Sequence, residues 1–242
     1  MEGFAFWSLA VLAAFCVGLS KGGAPAFGEL VVPILSLTIS PVPAAGLLLP
    51  VFVFSDVFGV WAYRKYANWA ILRIAVIGIG TGIGWATAHI VSDNFVRMLI
   101  GVTFSLYFLL RSRANTQATS AGRTAGLFWT TIAGFTGFVS YAGAPPWQVW
   151  VLPQKLPKMV FAGTSTFAFA MMNALKIVPY YALGQLQADN LRVTIILFIP
   201  AVITVLVAYK LIRILPERVF YAIVTWTLLF VSIKLIWDGL GL

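Results

Sequence analysis

Cysteine and histidine are nearly missing from this chain of 242 residues: Cys16 and His89 are the sole representatives of their kinds. One thiol cannot close an intrachain disulfide and one imidazole cannot build a metal cage, so no metal site is expected and redox chemistry has almost no material. A membrane-embedded enzyme would need a concentrated set of acids, bases or nucleophiles, and the few scattered carboxyls and amides do not supply it. No catalytic residue and no cofactor is expected. Acids are scarce too, seven against sixteen Lys and Arg. The resulting charge of +9 falls mostly in short loops between apolar runs, which argues against a nucleic-acid partner.

Charge of either sign makes up only 10% of the residues against 61% hydrophobic, and the mean hydropathy is +0.95. That leaves too little polar surface to cover a soluble globule, so the expected partner is a lipid bilayer. Apolar stretches at 44–63, 70–91, 95–110, 158–183, 191–211 and 218–237 each approach the ~20 residues that cross a hydrocarbon core as helix. The period-2 alternation of a membrane β-barrel is missing. The expected fold is an all-α polytopic bundle. The opening MEGFAFW lacks the basic region and small-residue cleavage site of a secretory signal, so the first apolar stretch is expected to belong to the mature protein.

What the chain has in place of reactive side chains is a duplicated signature. SKGGAPAFGELVVP at 20–33 returns as SYAGAPPWQVWVLP at 140–153, with Ser20, Gly23, Ala24, Pro25, Val31 and Pro33 recurring 120 positions later. A second correspondence, shifted by 117, matches Ala45, Gly46, Phe52, Asp56 and Tyr63 to Ala162, Gly163, Phe169, Asn173 and Tyr180. The sequence therefore divides into two repeats, 1–120 and 121–242, each with a Gly/Pro-broken hairpin followed by three spanning helices. Gly-Pro breaks in corresponding apolar segments of two halves point to a transporter binding site.

Basic loops orient the spans. Arg64, Lys65 and Arg73, then Arg111, Arg113 and Arg123, then Lys210, Arg213 and Arg218 mark cytoplasmic connections, whereas Asp93 and Asp189 fall in loops of the opposite side. Residues 1–42 then begin and end outside, residues 124–158 begin and end inside, and the two repeats are inverted with both termini outside. Sequence leaves open whether the hairpins are re-entrant or nearly full spans; the favoured reading is re-entrant, with tips near the midplane. Pro in the first turn of each second arm would start a new helix whose unpaired N–H groups and positive dipole end suit an anion.

Ser20, Lys21, Gly22, Gly23, Ser140, Tyr141, Gly143, Trp147, Gln148 and Asn173 are the candidate substrate-binding residues, because hydroxyls, an ammonium, an amide and close backbone approach suit a small oxyanion. Lys21 could instead snorkel to the interface. Asp56, Glu29 and Lys176 are candidates for coupling to a proton or sodium ion, since ionisable groups in a span are costly unless they face a cavity or a partner. Asp56 could equally tie to Lys21 or Lys176 as a structural pair, and Glu29 could be a partner of Lys21. Thr166, Asn173 and Lys176 share one helical face, as do Phe52, Asp56, Gly59 and Tyr63.

The run GLSKGGAPAFGELVVPILSL, the YRKY loop, and the mirrored GFVSYAGAPPWQVWVLPQKL with FAGTSTFAFAMMNALKIVPYYALGQL resemble the sulfite exporter TauE/SafE family of membrane permeases over nearly the whole chain. That resemblance implies a secondary transporter of the bacterial cytoplasmic (inner) membrane that moves sulfite, sulfoacetate or other organosulfonates. A passive anion channel is the alternative, because an inverted-repeat fold with polar residues at its centre can also conduct.

Overall fold

The computed structural model describes residues 3–75, 77–87, 90, 122–186 and 190–240, all of whose regular elements are helical. The helices are α1 (Phe4–Lys21), α2 (Val31–Leu35), α3 (Pro41–Tyr63), α4 (Trp69–Ile74), α5 (Ile77–Thr87), α6 (Arg123–Ser140), α7 (Ala144–Val151), α8 (Lys158–Ala182), α9 (Leu191–Ile214) and α10 (Glu217–Leu240), with 3-10 segments at Pro25–Leu30 and Leu152–Gln154. Among the described residues, Phe4–Lys21, Val42–Tyr63, Lys158–Ala182 and Leu191–Ile214 are long and apolar enough to cross a membrane. The all-α class read from composition is the one the chain adopts, as a multi-pass membrane protein. The expected span at 95–110, together with His89, Asp93, Arg97, Arg111, Arg113 and Asp189, lies outside the described residues.

Two compact units form, one from Met1–Ala67 with Met159–Leu215 and one from Asn68–Lys158 with Pro216–Leu242. Each draws on both sequence repeats.

In the first unit α3 and α8 run antiparallel. Gly46, early in α3, lies against the backbone of Gln185 beyond the end of α8, where an added Cβ would fall 2.1 Å from the carbonyl oxygen. At the other end Gly163 of α8 packs on Tyr66 just past α3. Small residues allow this approach, which supplies van der Waals packing where lipid removes any hydrophobic drive between helices. The same device seats α1 on α9: Gly18 lies against Ala201 and Thr204, and Gly22 against Val205 and Ala208, so these two helices run parallel. Outward, Ile195, Ile199, Ile203, Val207 and Leu211 make an exposed apolar stripe along α9. With its backbone bonds made inside the helix, apart from the one that Pro200 cannot donate, such a face is stable against lipid tails.

In the second unit the apolar run 70–91, expected as one span, is broken. Asn68 caps α4 by accepting from the Ala70 and Ile71 N–H groups, and Ala75 is extended at ψ 106°. The β-branched Ile74 precedes the break, where χ1 crowding weakens helix. After it, α5 lies on α6 with backbone nearly touching backbone: an added Cβ would meet the Thr131 carbonyl from Gly80 at 1.8 Å, and the Ile77 carbonyl from Gly134 at 2.2 Å. The short α7 is buried along its whole length. Tyr221 of α10 donates its hydroxyl to the Leu156 carbonyl, and the Lys158 N–H donates to the Glu217 carboxylate at 2.9 Å.

Candidate functional site

The first sequence signature forms a bend within the first unit. α1 ends at Lys21, and the Gly22, Gly23 and Ala24 N–H groups turn back to the carbonyls of Gly18, Ser20 and Leu19. Gly23 sits at φ +118°, a conformation that glycine adopts without steric cost. A Cβ at that position would also strike the Tyr63 hydroxyl and Ala162. Tyr63, the last residue of α3, donates its hydroxyl to the Gly22 carbonyl. The bend is therefore pinned beside the final turn of α3, roughly 10 Å along that helix from Asp56 at ~1.5 Å per residue. The 18-residue α1 carries the bend well towards one end of the α3–α8 pair.

The chain returns in two pieces, the 3-10 segment Pro25–Leu30 and then α2 of five residues. This corrects the expectation of a new α-helix at the bend: a 3-10 start followed by so short a helix presents little dipole. Ser20 closes the turn from inside, its hydroxyl donating to the Pro25 carbonyl at 3.4 Å. Gly28 leaves room for that hydroxyl, with an added Cβ only 2.8 Å from it. Glu29 lies next along the chain, buried in the same segment.

Lys21 does not reach an interface. It is 2% exposed, and its ammonium is 2.8 Å from the Asp56 carboxylate, 5.0 Å from the Phe52 ring centre and 5.9 Å from that of Phe169. The other Asp56 oxygen accepts from the Asn173 amide at 2.7 Å. Thr166, two turns earlier on α8, donates to the Lys21 carbonyl at 3.3 Å. Lys176, on the face it shares with Thr166 and Asn173, is also fully buried and interacts electrostatically with both Lys21 and Asp56. The α3 and α8 faces read from sequence thus meet, and their polar members converge on the end of α1. Of the alternatives open for Asp56, the pair with Lys21 forms. Lys21 takes Asp56 as an ion-pair partner at 2.8 Å.

The second signature forms the bend of the second unit. α6 ends with Tyr141 in the left-handed region at φ 59°, and the Ala142 N–H bonds back to Thr136. The Thr136 hydroxyl lies 2.8 Å from the Ala142 carbonyl, holding the turn from within. Gly143, by contrast, is right-handed at φ −84°, so Tyr141 takes the positive φ in this copy and Gly23 takes it in the other. Pro145 and Pro146 occupy the first turn of α7 and carry no N–H, while the Trp147 N–H returns to the Gly143 carbonyl. The nest of free backbone donors expected at this helix start is therefore reduced to little more than its dipole.

Two side chains of α7 stand out. Trp147 is fully buried with its ring edge-on to Trp150 at 5.8 Å. Gln148 is fully buried, and among the described residues neither end of its amide has a hydrogen-bond partner. The side chain of Ser140 lies outside the described residues. Sequence reasoning misses Thr136, which no repeat or spacing marks, and the hydroxyl role of Tyr63, although its recurrence as Tyr180 places it on the right face.

A family model described as Sulfite exporter TauE/SafE matches residues 10–235, a span that takes in both bends and the polar cluster on α3 and α8. No curated protein and no solved structure matches the chain. Membrane-long helices, paired Gly/Pro breaks and a match over most of the sequence agree, and the chain belongs to the sulfite exporter TauE/SafE family of membrane transporters.

Proposed function

We propose that the chain is a secondary transporter moving a small sulfur-containing anion, such as sulfite, sulfoacetate or another organosulfonate, across the bacterial cytoplasmic membrane, with both termini on the periplasmic side. Beyond family membership, the observation that carries this reading is the buried cluster Lys21, Asp56, Asn173 and Lys176, set midway along two membrane-long helices. Charged groups held inside a membrane bundle are expensive and mark transport pathways. The anion-binding candidates are Ser20 and Lys21 at the bend of the first unit and, taken separately, Ser140, Tyr141, Trp147 and Gln148 at the bend of the second. Gly22, Gly23 and Gly143 let the backbone approach the anion.

An anion that takes over the Lys21 ammonium would displace Asp56 from it. That exchange makes Asp56 the leading site for a coupled proton or sodium ion, with Glu29 and Lys176 as the other candidates. Proteoliposomes loaded with sulfite or a sulfonate, under pH and sodium gradients imposed separately, test the reading. A coupled carrier concentrates the anion against its gradient, whereas equilibration without accumulation means a channel. Asp56→Asn should abolish the dependence on the imposed gradient in folded protein; unchanged gradient-driven accumulation would leave Asp56 a structural residue.

A further inference from the structure

Gln148 presents a donor and an acceptor together, and neither has a hydrogen-bond partner among the described residues although the side chain is fully buried. A buried amide without partners loses its hydrogen bonds to water and regains none within the protein, which is costly for each group left unsatisfied. The trimmed helix start gives this weight. Pro145 and Pro146 have removed backbone donors from the first turn of α7, and helical side chains lean towards the N-terminus, so Gln148 covers that turn. An anion alone would satisfy only half of it. Sulfonate oxygens accept from Nε2, but Oε1 needs a hydrogen-bond donor, and a fully ionised sulfonate or sulfite has none.

We propose that Gln148 is the specificity-determining residue of the α7 bend and that its ligand is a small sulfonate carrying a hydroxyl, which donates to Oε1 while a sulfonate oxygen accepts from Nε2. The inference rests on the transport reading above, in which this bend binds the anion. It differs from simple charge recognition because it selects between anions of equal charge and nearly equal size. A site built around a hydrogen bond rejects the analogue that leaves its buried group unpaired.

Binding of 2-hydroxyethanesulfonate and of 1-propanesulfonate to the purified full chain, by isothermal titration, tests it. The two differ by a hydroxyl in place of a methyl. Wild type should favour the hydroxylated compound by about tenfold or more. Gln148→Met, of similar length and without polar ends, should bring the two within about twofold, a change that a merely structural role would not produce. Equal affinities in wild type overturn the proposal and assign the amide to bound water, and this comparison requires no variant to fold. A preference that survives in Gln148→Met also overturns it. Transport of sulfite with no binding of either sulfonate removes the inference and leaves the transport reading standing, whereas no transport of any of the three anions overturns both.

Discussion

Asn173 donates to Asp56, and the two residues hold the same place in the two sequence repeats, 117 positions apart. Phe52 and Phe169, another equivalent pair, both face the Lys21 ammonium. Gly46 and Gly163, equivalent again, make the backbone contacts at opposite ends of the α3–α8 pair. Ten residues separate each glycine from its polar partner, so the Asp56–Asn173 bond lies about 15 Å from either contact at ~1.5 Å per residue. Such meetings of equivalent residues are what a two-fold axis lying across the antiparallel α3–α8 pair would produce. This supports an inverted duplication.

Labelling from each side of the membrane checks the inversion. In a Cys16→Ser background, Lys65→Cys beyond α3 should react with an impermeant thiol reagent only from the cytoplasmic side. Leu183→Cys, at the far end of the antiparallel pair, should react only from outside. Reaction of both from one face would refute the inverted arrangement.

The Lys21–Asp56 pair should show strong coupling, with unequal costs for the two single variants. Asp56→Asn strands a buried ammonium, for which about 3–5 kcal/mol is typical. Lys21→Met should cost less, because Asp56 keeps the Asn173 amide and its attraction to Lys176. The double variant should lie well below the sum of the two singles. Chemical unfolding of purified protein in detergent measures all three; additivity would mean that the pair contributes nothing as a pair.

Much of the site is legible in the sequence because duplication supplies an internal comparison. The 117-residue shift picks out Asp56 and Asn173 and puts Thr166 and Lys176 on the same face, and those side chains do converge. The bend geometry is not legible. A Gly-Pro signature marks where a helix breaks but not the backbone conformation on its far side, so the 3-10 return at Pro25–Leu30 and the transfer of positive φ from Gly143 to Tyr141 emerge only in three dimensions. The break at Ala75 is hidden for a related reason, since apolar length records burial in lipid and not a change of backbone direction.

Two glycines should respond to alanine with opposite signs. Gly23→Ala forces a Cβ into positive φ and to within 2.6 Å of the Tyr63 hydroxyl, so stability should fall by more than the ~1 kcal/mol typical of a strained backbone alone. Gly82, inside α5, has nothing within 4 Å of an added Cβ. There alanine should stabilise by about 0.4–1 kcal/mol through a less flexible unfolded chain. Thermal unfolding of both variants gives the two signs directly.

Tyr63→Phe isolates the hydrogen bond that pins the first bend. The ring is fully buried and edge-on to Tyr209 at 5.0 Å and to Tyr66 at 6.5 Å, contacts that phenylalanine retains. What is lost is the hydroxyl that satisfies the Gly22 carbonyl, one of the acceptors a helix end leaves without an intrahelical partner. The expected cost is about 1–3 kcal/mol, as for a buried group left without its hydrogen bond. Because the loss is local, amide hydrogen exchange at Gly22, Gly23 and Ala24 should accelerate while the interior of α9 keeps its protection. If those three amides exchange as in wild type, the bend is held by the α1–α9 packing at Gly18 and Gly22, and the Tyr63 hydroxyl does not restrain it.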